Sequence, residues 1–133
     1  MDKLIKECHK IAKSKGFWDN PRNVGEMLML ITSELGEAME AHRKGKFANW
    51  EHFEKIKSKS ESDFNHLYHN ENFESRQKVA FEHAIKDSFE DEIADAVIRL
   101  FDLVGGLNID LEKHINEKLK YNKTRDKFHG KNY

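Results

Sequence analysis

Apolar residues recur at intervals of three and four along most of this chain, and this spacing is the strongest constraint on its fold. The pattern is typical of amphipathic helices, and no segment shows the strict apolar–polar alternation of a half-buried strand. It is clearest in residues 2–15, 21–43 and 88–106. The sequence therefore predicts an all-α fold, a small bundle of four to five helices whose short connections make neighbours antiparallel.

Capping residues and glycines predict where these helices begin and end. Gly16 and Gly45 are expected to end the first two helices, and Asn20 with Pro21 is typical of a helix start. A short helix is expected at about 76–86. Ser88 and Asp110 are placed to cap the two helices that follow it.

The middle of the chain differs from the rest. Residues 46–76 are polar and only weakly periodic, and their centre, "SKSESD" at 58–63, predicts a mobile loop. We interpret the chain as a single domain, residues 1–133, carrying a polar insertion at about 46–76.

Composition limits the classes of function. Of 133 residues 38% are apolar and 35% are charged, so the core is modest and oligomerisation would be a natural supplement. The net charge of −1 gives no reason to expect nucleic-acid binding. Cys8 is the only cysteine, which fits a reducing compartment, and the first residues contain no apolar run for a signal peptide or membrane span. A cytoplasmic protein without a membrane partner is expected.

Two pairs of acidic residues interrupt the apolar surfaces of the long helices. Glu34 and Glu37 are three apart on one helix, and Glu92 and Asp95 are three apart on another, so each pair projects from one helix face. If these helices pack antiparallel, four carboxylates converge and repel, and a divalent cation is the usual compensation. An all-oxygen shell suits Mg²⁺ or Mn²⁺. Surface charge that faces water explains the same spacing and stays open as the alternative.

The end of the chain carries a basic face. Lys118, Asn122 and Arg125 follow the spacing i, i+4, i+7, and such side chains bind phosphate, sugar or base. A solvated basic C-terminus, favourable to the helix dipole, is the alternative. Trp18, just before the second helix, offers a ring for stacking on a base, or for core packing.

The ordered set "ELGE" (34–37), "EIAD" (92–95) and "KYNKTRDKFHGK" (120–131) resembles the MazG-like, all-α nucleoside triphosphate pyrophosphohydrolase superfamily. The resemblance implies that Glu34, Glu37, Glu92 and Asp95 hold Mg²⁺, with Mn²⁺ as a substitute, and form the catalytic centre. It also implies that Lys118, Asn122 and Arg125 contact the triphosphate or nucleoside.

The reaction that this resemblance implies is hydrolysis of a (deoxy)nucleoside triphosphate to the monophosphate and pyrophosphate, through attack of water on the α-phosphorus. It also implies a homodimer or homotetramer. The chain departs from the family at Ser33, where many members carry another acid, and in the 54 residues that separate Glu37 from Glu92. The alternative function is a helical protein-interaction module, or an inactive relative, whose acidic pairs are surface charges.

Overall fold

The computed structural model describes residues 1–68 and 74–126, and in these ranges every regular element is a helix, with no strand. The prediction of an all-α fold is confirmed. Seven helices occur in the described residues, more than the four to five predicted, because the segment between the helices predicted at 21–43 and 76–86 contains two further helices. They are α1 (Asp2–Ser14), α2 (Val24–Arg43), α3 (Trp50–Lys57), α4 (Glu61–Tyr68), α5 (Glu74–Ala84), α6 (Phe89–Gly106) and α7 (Leu111–Lys123). None of these helices has the length and apolarity needed to cross a membrane.

Most of the predicted helix ends are confirmed by hydrogen bonds. Gly45 adopts a φ of 66° directly after α2, a conformation that other residues rarely take. The Ser88 hydroxyl accepts from the Asp91 amide at the start of α6, and the Asp110 carboxylate accepts from the Lys113 amide at the start of α7. Each side chain accepts a hydrogen bond from an amide of the first helical turn, which has no carbonyl acceptor within the helix.

The predicted start of α2 is wrong by three residues. The helix begins at Val24 rather than Pro21, because the side chain of Asn23 accepts from the Glu26 amide at 3.1 Å. The Asn23 carbonyl also accepts from the Met27 amide. Asn23, and not Asn20, is therefore the residue that caps this helix.

The chain divides into two compact units, and the boundaries fall within α2 and α6. We call residues 28–97 the central unit, and residues 1–27 with 98–133 the terminal unit. The central unit contains 9 Lys and Arg against 15 Asp and Glu, and the terminal unit 14 against 9. The near-neutral net charge of the whole chain thus conceals an acidic unit and a basic one.

The segment interpreted as a polar insertion contributes the largest side chains to the core of the central unit. Phe64 and Ile56, at 1% and 0% exposure, are the largest fully buried apolar side chains of the described residues. They pack with Phe53 of α3 and with residues of and just after α5, namely Val79, Ala80, Ala84 and Ile85. A few well-placed apolar residues are therefore sufficient to build this core.

The predicted loop at residues 58–63 is wrong for its second half: residues 58–60 connect α3 to α4, but Glu61 to Asp63 form the first turn of α4. The Ser60 hydroxyl accepts from the Asp63 amide at 3.2 Å and donates to the Asp63 carboxylate at 2.6 Å. The first of these bonds is the N-cap bond of α4, and the second holds the Ser60 hydroxyl against the carboxylate of the same residue. The same polar residues that suggest a loop in the sequence thus serve as a helix cap.

Residues 28–39 of α2 show the opposite behaviour, since the sequence suggested a buried helix and most of its large apolar side chains face solvent. Met29 and Met39 are 67% and 58% exposed, and Leu28, Leu30 and Leu35 are also exposed. Only Ala38 and Glu34 are buried in this stretch. Within the central unit α2 therefore presents an apolar face.

The terminal unit is held by a close approach of α1 and Trp18 to the last turn of α6. A Cβ added to Gly105 would lie 2.8 Å from Cβ of His9, and one added to Gly106 would overlap the Trp18 ring. As predicted from the sequence, α6 extends to these two glycines. Their small size is what permits the contact.

Candidate metal centre

Three of the four predicted carboxylates meet in the central unit. Carboxylate oxygens of Glu34 from α2 and of Glu92 and Asp95 from α6 all lie within 4.8 Å of one another. Glu34 and Glu92 are each 6% exposed, whereas Asp95 is open to solvent. We call these three residues the acid centre.

Helical spacing explains how the acid centre forms. Glu92 and Asp95 are three residues apart, so their side chains project from α6 one turn apart on the same face. Ala38 of α2 and Ala96 of α6 are buried. Their side chains are small, so they take up little space beside the acids. Ser33, next to Glu34, is exposed, and its hydroxyl donates to the Leu30 carbonyl.

The carboxylates of the acid centre repel one another. Burial raises the pKa of Glu92 above its ordinary value, and the carboxylates of Glu37, Glu34, Asp91 and Asp95 raise this pKa further. The charged form of Glu92 is therefore disfavoured by its own surroundings. A divalent cation bound there would reverse this penalty, because it would place positive charge among the oxygens.

The donor set fits a hard divalent cation. The three carboxylates offer oxygen only, two of them are withdrawn from solvent, and Asp95 leaves one side accessible. Mg²⁺ is usually bound through a few carboxylates and completes its shell with water or substrate phosphates. The acid centre thus has the chemistry expected for Mg²⁺ or Mn²⁺.

Glu37 lies outside the acid centre as defined by distance. Its side chain is exposed on α2, one turn beyond Glu34. Its charge nevertheless acts on Glu92, and among the neighbouring carboxylates it has the largest effect on the pKa of that residue. The structure therefore places Glu37 at the edge of the cluster.

The predicted basic residues lie at the end of the terminal unit. Nζ of Lys118 is 4.8 Å and Cζ of Arg125 is 5.8 Å from the centre of the Tyr121 ring. Asn122 is exposed on α7, and Arg125 follows the end of that helix at Lys123. Lys118 and Arg125 are thus brought together around one aromatic ring, which the sequence analysis had not singled out.

Trp18 is held in a polar contact within the terminal unit. Its indole Nε1 donates to Asp102 Oδ1 at 2.8 Å, and the same carboxylate oxygen lies 2.9 Å from Nδ1 of His9. The rings of Trp18 and His9 meet edge to face, with their centres 4.9 Å apart. No role was predicted for His9 or Asp102 from the sequence, because residues so far apart in the chain share no pattern that would place them together.

No protein-family model, curated protein or solved structure matches this chain. A proposal about function is therefore based on the geometry of the acid centre.

Proposed function

We propose that this protein hydrolyses a (deoxy)nucleoside triphosphate to the monophosphate and pyrophosphate, as a MazG-like, Mg²⁺-dependent enzyme. The observation that carries the proposal is the convergence of Glu34, Glu92 and Asp95, with two of the three carboxylates buried. Structural acids are rarely buried next to one another, because their repulsion costs stability unless a cation offsets it.

The chemistry follows from the same residues. In the hydrolysis, a water oxygen forms a bond to the α-phosphorus while the bond from that phosphorus to the bridging oxygen breaks, and pyrophosphate leaves. Mg²⁺, when bound, supplies charge stabilisation for the phosphate oxygens. Because Glu37 is exposed and its charge acts on Glu92, we assign it the role of orienting the water and accepting its proton.

Substrate contacts are proposed for the basic residues of the C-terminal region. Lys118 and Arg125 present two cations around Tyr121, and Asn122 is exposed on the same helix. Trp18 is less suited to stacking on a base than the sequence suggested, because its indole is engaged by Asp102 and its ring packs against Gly106. Replacing Arg125 with Ala should mainly raise KM.

The direct test is a panel of common, oxidised and deaminated nucleotides with Mg²⁺, assayed separately for pyrophosphate and orthophosphate. Release of pyrophosphate from at least one nucleotide is the expected result. Turnover to orthophosphate alone, or no turnover across the panel, would contradict the proposal.

Metal binding has a test that does not depend on turnover. Millimolar Mg²⁺ should raise the melting temperature of the parent protein, because a ligand bound only by the folded state stabilises it. Glu92→Gln should remove this increase, whereas Glu40→Gln, on the exposed end of α2, should keep it. If both variants kept the Mg²⁺-induced rise in melting temperature, the metal would bind elsewhere.

A homodimer or homotetramer forms part of the proposal, and the exposed apolar side chains of α2 support it. Met29, Leu35 and Met39 lie within eleven residues of one helix, and each is at least half exposed. A second copy of the chain would remove this surface from water. The same surface favours the alternative function of a helical interaction module, which absence of both turnover and a metal effect would support.

A further inference from the structure

A cleft of about 560 Å³ opens beside Asp95 within the central unit. Its lining includes Lys78 and Phe81 of α5, Lys86 from the connection after that helix, and Asp91 and Asp95 of α6. Asp95 belongs both to this cleft and to the acid centre. A ligand that reaches a cation at the acid centre from this side would therefore meet the two lysines.

Among the described residues, both lysines form exposed ion pairs. Nζ of Lys78 lies 3.8 Å from Glu82 on the next turn of α5, and Nζ of Lys86 lies 3.8 Å from Asp87. Exposed pairs of this kind contribute little free energy, so exchanging the carboxylate for another anion costs little. A phosphate oxygen accepts a charge-assisted hydrogen bond from an ammonium group at least as well as a carboxylate does.

The charge of the cleft determines which anion can enter. Its lining carries four carboxylates, from Glu82, Asp87, Asp91 and Asp95, against two ammonium groups. A bare polyphosphate would be repelled, whereas a polyphosphate complexed with a divalent cation brings the missing positive charge. The cleft therefore selects a metal-bound phosphate chain over a free anion.

We propose that this cleft is the subsite for the leaving pyrophosphate, in which Lys78 and Lys86 bind the β- and γ-phosphates of the metal-complexed triphosphate. The inference rests on the proposed function and extends it, because it assigns a substrate-binding role to α5. This helix also packs its buried residues into the core of the central unit. The subsite is thus formed by residues on and just after a helix that is anchored in the core.

The experiment measures binding of an α,β-methylene nucleoside triphosphate, which resists this hydrolysis, by calorimetry with and without Mg²⁺. The base is that of the nucleotide that the parent hydrolyses fastest. Lys78→Ala and Lys86→Ala should each weaken Mg²⁺-dependent binding about tenfold. The Mg²⁺-induced rise in melting temperature should be unchanged in both. Lys86→Arg should retain most of the affinity, because it keeps the charge.

Lys44→Ala is the matched control, since Lys44 forms an exposed i, i+4 pair with Glu40 as Lys78 does with Glu82, and it does not line the cleft. It should bind the analogue as the parent does. Normal turnover and binding in the Lys78 and Lys86 variants would overturn the subsite and leave the proposed function standing. A parent that neither hydrolyses nucleotides nor binds the analogue would overturn both.

Discussion

Residues 28–39 of α2 and the segment from α3 to α5 belong to the same unit, and their burial is the reverse of what their compositions suggest. The apolar stretch of α2 leaves Met29, Leu35 and Met39 exposed, while the polar segment buries Ile56 and Phe64 almost completely. Average apolarity along a segment therefore does not decide burial. The direction in which a few side chains point decides which residues are buried. An apolar helix face that stays in solvent is typical of a surface used in assembly.

The largest expected effect tests the core of the polar segment. Phe64→Ala should lower the free energy of unfolding by about 3–5 kcal/mol, because it removes a fully buried aromatic side chain and leaves a cavity. Leu67→Ala, three residues later on the exposed side of α4, should change it by less than about 0.5 kcal/mol. Urea denaturation measures both values. Similar losses of unfolding free energy in the two variants would mean that α4 does not bury the face that carries Phe64.

The next effect compares two serines, one in each region. Ser60→Ala should cost about 1 kcal/mol, because the hydroxyl caps α4. Ser33→Ala should be nearly neutral, since that hydroxyl only donates to a carbonyl within α2. Thermal unfolding of the two variants beside the parent checks the difference, and an equal cost would mean that the Ser60 hydroxyl does not cap α4.

In the acid centre α2 buries the carboxyl group of Glu34 instead of an apolar side chain. The loss of folding stability that this cluster of carboxylates causes should depend on pH. Because the folded pKa of Glu92 is raised, the folded state holds this proton more tightly than the unfolded state does. Without metal, stability should therefore fall as pH rises from about 4.5 through the raised pKa. Glu92→Gln should lose this decline and be more stable than the parent at pH 7.

The check is a series of melting temperatures from pH 4 to pH 8 in the presence of a chelator. Parallel curves for parent and Glu92→Gln would mean that this carboxyl does not titrate differently in the folded protein.

The smallest effect on folding stability is expected on the apolar face of α2. Met29→Lys together with Met39→Lys should change the unfolding free energy of the monomer by no more than about 0.5 kcal/mol, because both side chains are exposed. The mass measured by light scattering should nevertheless fall from that of a dimer or tetramer to that of a monomer. Leu67→Lys is the control, and a monomeric parent would contradict the proposed assembly.

Local chemistry could be predicted from the sequence more accurately than tertiary burial. Ser88 and Asp110 cap helices as expected, because a cap depends on residues within one turn. Asn20 followed by Pro21 predicts a helix start, but Asn23 has the same capping chemistry and is the residue that caps α2. The core around Phe64 could not be predicted, because its members come from three helices and share no single period.

The candidate site divides in the same way. The spacing of Glu92 and Asp95 on one helix was sufficient to place them together, and their meeting with Glu34 followed from packing the two helices. The exposure of Glu37 and the engagement of Trp18 by Asp102 depend on side-chain directions that spacing does not determine.

The glycines at the end of α6 have a consequence for the dynamics of the terminal unit. Glycine is less favourable than alanine in a helix by about 1 kcal/mol, so two in succession leave this last turn with little intrinsic tendency to stay wound. Its order depends on His9 and Trp18 lying against it. Amide protons of this turn should then exchange with solvent whenever α1 detaches, which makes their exchange rate a measure of how often the N-terminal helix opens.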